Sequence, residues 1–558
     1  MRDWLRAQCA VKYSSLSWTG CLSLIFLAGG AHAQSQQATI PVKQADAVCA
    51  SCHAKILNEY LSTPMANASG LATDHLIPGV FIHSASGVKY RVFEESGAAW
   101  LSYDGPDNLP EHGRRRLDYF LGSGHLGITY LYSVDGYLLE SPVAYYSSTK
   151  GYDMGPGLGD LREMPPALPT EADCLRCHMS GVKHSDLGTI NHYSGVPFLY
   201  GGITCEACHG DTRTHVLTRG KASVVNPAKL DPERRDSVCI SCHLEGDISV
   251  EKDGRSAVDF IPGDAISDYL SYFVYARAGA TARGVSEVEQ FSASMCKRAK
   301  GDKMSCTSCH NPHYTPLSAE RVTFYRGKCL ACHSDPGLVT THHPENPECT
   351  SCHMPRSNAK NIPHVAWTDH RILRKPEADV PDDNPDRRDT LVPIFSPSVS
   401  PRDLALAYYI AAMNGKIFDH EKAFTMLTAA YQNNPNNPKV LGALGMLAET
   451  RGDSQLAASL FRDVLKLAPE DLKAASNLAV LQAKGGNLQD ALTLLQPVFN
   501  RNQDSIAIAR NLAAIECILG DRADARTTIE TALKYNPGSE DLKIGLRQTS
   551  SCAVTHAQ

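Results

Sequence analysis

The sequence predicts a mainly α chain in two parts, an N-terminal half organised around a repeated cysteine and histidine motif and a C-terminal half of repeated helical pairs. Two observations predict this division. The pattern C-x-x-C-H occurs seven times, always before residue 354, and a 34-residue periodicity begins after residue 400. A third observation, alternating apolar segments between about 76 and 150, predicts a small antiparallel β module within the N-terminal half.

The first 33 residues are predicted to form a secretory signal peptide. Basic Arg2 and Arg6 precede an apolar stretch, and Ala31-His32-Ala33 provides an A-x-A cleavage site. No later segment of the sequence is long and apolar enough to cross a membrane as a helix. We therefore expect a periplasmic or otherwise exported protein without a transmembrane segment after signal cleavage.

The seven C-x-x-C-H motifs predict covalently bound haem. Two cysteines spaced in this way can form thioether bonds to the haem vinyl groups, while the histidine that follows binds the iron. The predicted attachment cysteines are Cys49, Cys52, Cys174, Cys177, Cys205, Cys208, Cys239, Cys242, Cys306, Cys309, Cys329, Cys332, Cys349 and Cys352. The predicted proximal ligands are His53, His178, His209, His243, His310, His333 and His353.

Zinc is the competing interpretation, because C-x-x-C pairs 15 to 20 residues apart also occur in zinc ribbons. The histidine after every pair decides between the two, since a zinc ribbon has no use for a histidine at that position. The sequence therefore predicts seven c-type haems.

The ligand on the opposite face of each iron decides between electron transfer and catalysis. His313 follows His310 by three residues, so both side chains point the same way and His313 should serve a neighbouring haem. His215, six residues after His209, invites the same interpretation. The remaining distal candidates are His364 and His370 beyond the last motif, together with His125 and Met65, either of which could bind the first haem. If neither binds, the first haem is open and becomes the best candidate for an active site.

Two hairpin signals define the β module, which we place at about 76–150. Val88–Phe93 and Ala99–Tyr103 alternate around a turn that contains Gly97, and a second pair of segments flanks Asp135-Gly136. From 174 to about 370 the sequence is poor in long amphipathic runs, and only about 265–300 suggests a sustained helix. We expect porphyrin to provide much of the interior of a heptahaem domain that spans 45–375.

A linker rich in proline and charge covers 376–400, and a helical repeat domain follows at 401–546. Leu444, Leu478 and Leu512 are 34 residues apart, and glycines at 452, 486 and 520 and alanines at 457, 491 and 525 keep the same spacing. This period resembles the tetratricopeptide repeat (TPR), in which small residues let paired helices pack closely. Four repeats would form an α-solenoid suited to docking a partner protein.

Charge and cysteine content bear on two further questions, namely nucleic-acid binding and the role of the cysteines outside the motifs. The net charge is −6 and the region after 401 is balanced, so nothing favours nucleic-acid binding. Outside the motifs and the signal peptide, the cysteines are Cys296, Cys517 and Cys552. Cys517 is interpreted as a small core residue of the repeat, and burial is also the simplest interpretation of Cys296.

The motifs, the contexts CEACHG and CHNPH, and the block YFLGSGHLGITYLYSVDGYLLESPVAYY resemble cytochrome c-552/4-type multihaem proteins. The resemblance covers roughly 45–375 and 401–540, because several members also carry C-terminal tetratricopeptide repeats. It implies haems packed in pairs, mostly with two histidine ligands. The chain lacks the C-x-x-C-K motif of pentahaem nitrite reductases, and it has one motif fewer than the octahaem hydroxylamine oxidoreductases, whose cross-linking tyrosine cannot be assigned here.

The sequence therefore predicts an exported multihaem cytochrome that carries electrons through seven haems, with a TPR domain that docks a redox partner. The alternative is a multihaem reductase or dehydrogenase that acts on a small nitrogen or sulfur compound at a haem with an open axial position. We favour an electron-transfer protein over a catalytic oxidoreductase, because the histidines outside the motifs are numerous enough to fill every distal position.

Overall fold

The computed structural model describes residues 40–106, 112–276, 285–335, 342, 346–374, 390–395, 399–415 and 419–552. The predicted signal peptide (1–33) and most of the predicted linker (376–400) lie outside the described residues. Within the linker, Leu391–Pro393 forms a strand that pairs with Phe273–Tyr275, so this part of the linker belongs to a sheet.

The β module consists of two antiparallel sheets that share one apolar core. The first has the order β3-β4-β5-β6 and contains Gly79–Ile82, Lys89–Glu95, Ala98–Asp104 and His112–Leu117. The second has the order β11-β10-β8-β7-β2, with β9 also paired to β8, and contains Ser69–Leu71 (β2), Tyr119–Leu121 (β7), Gly127–Val134 (β8), Tyr137–Glu140 (β9), Val143–Tyr146 (β10) and Gly151–Met154 (β11).

Both predicted hairpins are confirmed. Val134 pairs with Tyr137 across a two-residue turn in which Asp135 and Gly136 have φ values of 50° and 86°. Positive φ at both central positions is typical of the type I′ turn, whose twist matches that of the flanking strands. The turn therefore presents Asp135 at the end of the β module, where it contacts the C-terminal half.

The motif-bearing region is a thin shell of short elements. Its helices are Val42–Ala45 (α1), Ala50–Tyr60 (α2), Ala172–Leu175 (α3), Glu206–His209 (α4), Arg213–Leu217 (α5), Pro232–His243 (α6), Glu287–Ala293 (α7), Met295–Lys300 (α8), Arg321–Leu330 (α9) and Cys349–His353 (α10). Five of them, α4, α5, α8, α9 and α10, bury no residue, although α9 carries Val322, Phe324 and Leu330. Helix-to-helix packing therefore contributes little in this region.

Three small sheets complete the N-terminal half: β1-β13-β12 (Ile40–Pro41, Phe198–Gly201, Met179–Val182), β14-β15-β18 (Ile248–Glu251, Leu270–Tyr275, Leu391–Pro393) and β16-β17 (Arg356–Asn358, Ala366–Thr368). The sustained helix suggested for 265–300 is wrong, because Leu270–Tyr275 is a strand and only the short α7 and α8 follow. The sequence LSYFVY is rich in aromatic residues, which favour a pleated surface.

The C-terminal half is a helical repeat that contains Pro401–Met413 (α11), His420–Asn433 (α12), Pro438–Thr450 (α13), Ser454–Leu467 (α14), Leu472–Lys484 (α15), Leu488–Arg501 (α16), Ile506–Leu519 (α17), Arg522–Tyr535 (α18) and Glu540–Thr549 (α19). Ala457, Ala491 and Ala525 are fully buried, and a Cβ on Gly445 would lie 2.6 Å from the Phe461 ring. Small residues thus permit the close helix packing that the 34-residue period predicts. The prediction of a mainly α chain is confirmed only for this half, because the N-terminal half mixes short helices with small sheets.

The loops that join successive repeats pack against the N-terminal half. Asn437 donates to Asp253, Asn502 donates to the carbonyl of Gly188, and the Asn536 carbonyl accepts from the amide of Ala167. These three asparagines lie at nearly equivalent positions of different repeats. One edge of the solenoid is therefore occupied by contacts within the chain.

Candidate functional site: a cavity lined by cysteine and histidine motifs

A single large cavity of ≈3240 Å³ lies inside the motif-bearing shell. Cysteines from six of the seven motifs line it, among them Cys49, Cys177, Cys205, Cys239, Cys306 and Cys329, and the seventh motif contributes Thr350 and Ser351. Pockets for one small molecule reach about 1,000 Å³, so this cavity could hold several large cofactors. The surrounding helices bury little apolar surface against one another, and several of their apolar side chains line the cavity, such as Ile56, Val288 and Phe291.

Local helical structure places the reactive groups of most motifs together. The fourth motif forms the last turn of α6, the third lies in α4, and the seventh is α10 itself. On one helical turn, side chains three and four residues apart share a face, so the two cysteines and the histidine of a motif project in the same direction. This is the arrangement that two thioether bonds and one axial ligand require.

Four motif histidines each face a second histidine from outside the motifs. The ring centroids of His53 and His215 are 6.4 Å apart, and those of His209 and His313 are 5.9 Å apart. An iron midway between two rings, with each coordinating nitrogen about 2 Å away, requires centroids roughly 6 Å apart. Both pairs meet this requirement, and their ring planes differ by only 15° and 8°.

The other two pairs have similar geometry. His310 and His370 are 6.3 Å apart, and His342 and His353 are 6.0 Å apart, with interplanar angles of 30° and 27°. His342 was not among the residues singled out as distal ligands. The available signal was its position between the sixth and seventh motifs, but its neighbour His343 made the choice ambiguous in the sequence.

Backbone carbonyls fix the tautomer of several of these imidazoles. Nδ1 of His209 donates to the Val225 carbonyl (2.8 Å), and Nδ1 of His353 donates to the Leu373 carbonyl (2.7 Å). The distal rings follow the same rule: His215 donates to Ala222 (2.7 Å) and His370 donates to Thr368 (2.9 Å). Because Nδ1 carries the proton, Nε2 keeps its lone pair free for a metal, as in most histidine-ligated metal sites.

The electrostatic environment favours neutral imidazoles. Burial, with a smaller contribution from nearby His243, lowers the pKa of His178 to about 4. Burial and nearby His370 lower the pKa of His310 to about 4, and burial and His209 lower the pKa of His313. These rings are therefore unprotonated at neutral pH, which is the form that binds iron.

Three distal candidates lie elsewhere. Nε2 of His364 is 2.6 Å from the Asp153 carboxylate, so its ring is hydrogen-bonded to the β module and does not face any described motif histidine. His125 is exposed and lines, together with His364, a separate cavity of ≈610 Å³. Met65 lines the main cavity but packs against the small cluster around Tyr60, while His215 is the residue that faces His53.

Cysteines of different motifs also approach one another. Cys49 and Cys205 lie with Asp46 within 4.8 Å, and the Asp46 carboxylate accepts the amide hydrogen of Cys205. Among the described residues this is the single group of three or more cysteine, histidine or carboxylate side chains close enough together to hold one metal ion. It takes one cysteine from each of two motifs, whereas a zinc ribbon uses both cysteines of each C-x-x-C pair, so it does not support the zinc interpretation.

The prediction for Cys517 is wrong, because Cys517 forms a disulfide with Cys552. The two cysteines are separated by 35 residues, and the bond ties α17 to the segment after α19. The sequence left three cysteines outside the motifs and gave no basis for choosing a pair. Cys296 is half-buried on α8 and lines the cavity near the fifth and sixth motifs.

Comparison with known families matches two segments of the chain. Residues 160–210, which contain the second and third motifs, match the family described as cytochrome c554 and c-prime. Residues 448–515 match the tetratricopeptide repeat. The chain therefore combines a cytochrome c554-type segment, which suggests haem c as the cofactor, with a repeat of a kind that generally mediates interactions between proteins.

Comparison with individual known proteins adds little to these two family matches. No curated protein matches the chain. Similar solved structures include MamA from AMB-1 (20% identity, 27% of this chain and 87% of that chain, TM-score 0.25) and PilF of Pseudomonas aeruginosa (16% identity, 27% and 68%, TM-score 0.25). A tetratricopeptide repeat protein from Parabacteroides merdae is similar at 18% identity, with 28% and 60% of the two chains covered and a TM-score of 0.25.

Proposed function

We propose that this chain is an exported multihaem c-type cytochrome that carries electrons through seven covalently bound haems. The observation that carries the proposal is the set of four histidine pairs, in which a motif histidine faces a second histidine at 5.9–6.4 Å. Two strong ligands on one iron favour electron transfer, because no position is left for a substrate.

The residues around the cavity fit haem c. Each motif supplies two cysteines for the thioether bonds and one histidine for the iron, and His215, His313, His370 and His342 supply the opposite ligands of four sites. A haem iron changes between its ferric and ferrous states by one electron, which is the chemistry that such a site adds. The protein's own contribution is to orient the imidazoles through the carbonyls of Val225, Ala222, Thr368 and Leu373.

Contacts between motifs support a continuous order of the seven sites. Cys49 lies near Cys205, and Cys208 interacts with Cys242, which links the first, third and fourth motifs. The Cys239 and Cys306 thiols interact closely enough for Cys306 to raise the pKa of Cys239, so the fifth motif follows the fourth. The sixth interacts with the fifth through Cys309 and with the seventh through Cys329 and Cys349, while the second meets the fourth at Cys177 and Cys242. The resulting order is 1-3-4-5-6-7, with the second site as a branch at the fourth.

One further observation supports export. A disulfide between Cys517 and Cys552 suits an oxidising compartment, in which c-type haem attachment also takes place. The described residues include no helix that is long and apolar enough to cross a membrane. Together with the predicted signal peptide, the disulfide favours a periplasmic location.

The TPR domain is proposed to dock a redox partner, but one of its edges is already engaged. Asn437, Asn502 and Asn536 hold the inter-repeat loops against the N-terminal half. A partner of the solenoid must therefore bind its other surfaces, and the rigid attachment would keep that partner at a constant distance from the haem-bearing shell.

A reductase or dehydrogenase of a small nitrogen or sulfur compound is the second candidate. Within the described part of the chain, His178, His243 and His333 show no ring pairing with a histidine from outside the motifs, so an open axial position would belong to one of these three sites. The first site, which the sequence had suggested as the open one, has His215 opposite His53. Nitrite or hydroxylamine binding at the second, fourth or sixth site would support this candidate.

A haem count tests the main proposal. The protein should be produced with its signal peptide in a host that attaches c-type haem, and its intact mass and its alkaline pyridine spectrum should be measured. Seven covalent haems per chain are expected. Fewer than seven, or haem that acid-acetone extraction removes, would contradict the proposal, and a metal assay that detects zinc in place of iron would replace it.

A further inference from the structure

A strongly basic surface surrounds the fifth and sixth motifs of an otherwise acidic chain. Between residues 295 and 330 there are seven lysines and arginines but only two acidic residues, while the whole chain carries a net charge of −6. We name this surface the basic face, and it consists of Lys297, Arg298, Lys300, Lys303, Arg321, Arg326 and Lys328. A local excess of one sign is a signal for a partner of opposite charge.

The basic face belongs to two short helices that flank the fifth motif. The Lys297 amine on α8 interacts electrostatically with Cys306, and the Lys328 amine on α9 interacts with Cys309. Arg298, Lys300 and Lys303 are exposed, whereas the Lys297 side chain is only 22% exposed. Cys332 of the sixth motif lines the cavity, as Lys297 and Lys328 do. Charge therefore collects on the part of the shell that lies over the fifth and sixth motifs.

Part of this charge has no partner within the described residues. Arg298, Lys300 and Lys303 are exposed and make no ion pair with a carboxylate there. The other members are engaged to different degrees: Lys297 lies 3.8 Å from Asp236, Arg321 lies 3.6 Å from Glu348, and Arg326 donates to the Pro347 carbonyl. Cations of the TPR domain are more often ion-paired, as Lys466 is with Asp463 and Arg526 with Glu530.

An apolar residue completes the surface. Met295, at the start of α8, is 62% exposed where it also lines the cavity, and its sulfur lies 2.9 Å from the Arg298 guanidinium. Interfaces between proteins usually combine a flexible or apolar centre with a charged rim, and methionine is frequent in such centres.

The geometry points to the basic face as the docking surface for a small redox protein with an acidic face, which exchanges single electrons with the chain at the fifth and sixth sites. This inference rests on the proposed function, because it needs redox centres at those motifs. Opposite charges would steer the two proteins together and increase the association rate, and salt would reduce this effect. Each encounter moves one electron, so a donor loses one electron while one ferric iron becomes ferrous.

The basic residues that line the cavity have a second possible role, as counter-charges for haem propionates. Lys297, Lys300, Arg321 and Lys328 line the cavity, whereas Arg298 and Lys303 do not. The double variant Arg298→Glu/Lys303→Glu therefore changes the outer surface and leaves the cavity lining intact. Lys55→Glu is the matched control, because Lys55 is 88% exposed beside the first motif, at the other end of the proposed order.

The test uses the oxidised holoprotein and acidic flavodoxin hydroquinone as the electron donor in a stopped-flow experiment. For the double variant, the second-order rate constant at low ionic strength should fall at least fivefold, and the difference should vanish at about 0.5 M salt, where the Debye length is only a few ångströms. With a basic cytochrome c as acceptor, the reduced double variant should react faster than the natural chain. Dithionite should reduce all three proteins to the same final spectrum.

Three outcomes would overturn the inference. Equal rates for the double variant and the natural chain would show that the basic face is not used. A decrease for Lys55→Glu alone would place the docking surface at the first motif. Altered haem potentials with unchanged flavodoxin rates would indicate that these charges act on the propionates only. Haem content is measured first, so a failure of the proposed function would appear as missing covalent haem and not as a changed rate.

Discussion

Single histidines decide what each site can do, and most of the relevant partnerships join residues distant in sequence. The motif histidines could be assigned from the sequence because attachment and ligation are local. The facing residues could not be assigned with the same confidence, because His215 reaches His53 and His370 reaches His310 only through the fold. His364 was an equally plausible distal ligand from its place in the sequence, but its ring is hydrogen-bonded to Asp153.

Replacement of one facing histidine tests the pairing directly. In His215→Ala, the first site loses its second ligand, so we expect one of the seven ferric irons to change from low-spin to high-spin and to bind added cyanide. Electron paramagnetic resonance with spin integration measures the change. His184→Ala is the control, because His184 is exposed and pairs with Asp259. An identical spectrum for His215→Ala and the natural protein would disprove the assignment.

Glu516 gives the repeat domain a pH-dependent stability. Its carboxyl is 2% exposed, and burial is the main cause that raises its pKa from 4.5 to about 7. The folded state therefore binds a proton more tightly than the unfolded state between these values. The stabilising contribution of this carboxyl group is present in full below pH 4.5 and is lost as the pH rises through 7, at up to about 1.4 kcal/mol per pH unit and on the order of 3 kcal/mol in total.

Glu516→Gln should remove this dependence and stabilise the repeat domain above pH 7. The Gln carbonyl can still accept the hydrogen bond that Thr528 donates to Glu516. Urea unfolding followed by circular dichroism at pH 5, 6, 7 and 8 measures the slope. Glu530→Gln is the control, because Glu530 is half exposed and pairs with Arg526. An unchanged slope in Glu516→Gln would mean that another group titrates.

Helices, strands and turns could be predicted from the sequence where neighbouring residues alone determine the structure. The Asp135-Gly136 turn and the helix pairs of the repeat follow from turn chemistry and a repeated period, and Asp453, Asp471 and Ser505 cap their helices as such patterns predict. The helix suggested for 265–300 was wrong because a short apolar run such as Leu270–Tyr275 fits a buried strand as well as a helix. Its pairing with Leu391–Pro393 could not be predicted from local residues.

The disulfide between Cys517 and Cys552 covalently links α17 to the segment after α19 and should stabilise the last helices of the repeat. Closing a loop of 35 residues in the unfolded chain reduces its entropy, which corresponds to roughly 3–4 kcal/mol of stability in the chain-entropy description. Cys552→Ser should lower the free energy of unfolding by about this amount. Denaturant unfolding measures the free energy of unfolding of the oxidised natural protein, the reduced natural protein and Cys552→Ser. A difference below about 1 kcal/mol between the oxidised natural protein and Cys552→Ser would contradict the expectation.

For the whole molecule, the two halves should depend on cofactor attachment to different degrees. The repeat has two extensive apolar clusters of its own, whereas the motif-bearing shell surrounds a cavity of ≈3240 Å³ and several of its helices bury nothing. Protein produced without haem attachment should therefore keep protected helices in 401–549 and lose protection across 172–374. Hydrogen exchange with mass spectrometry measures both regions, and equal protection of the shell with and without haem would contradict this expectation.

The overall architecture could be read from the sequence because each half has its own repeated signal, the motif in one and the 34-residue period in the other. The docking of the halves could not, because it depends on single polar contacts such as Asn536 with Ala167 and Tyr535 with Asp135. Those contacts turn the solenoid from an independent module into a fixed part of the molecule.

The proposed electron-transfer function requires that paired histidines occupy both axial positions of most of the irons. Electron paramagnetic resonance of the oxidised holoprotein, recorded with and without cyanide or nitrite and integrated per chain, tests this claim most directly. We predict that at least four of seven irons, those of His53, His209, His310 and His353, are low-spin and unaffected by either ligand. Four or more high-spin irons that convert on ligand addition would contradict the account and favour a catalytic protein.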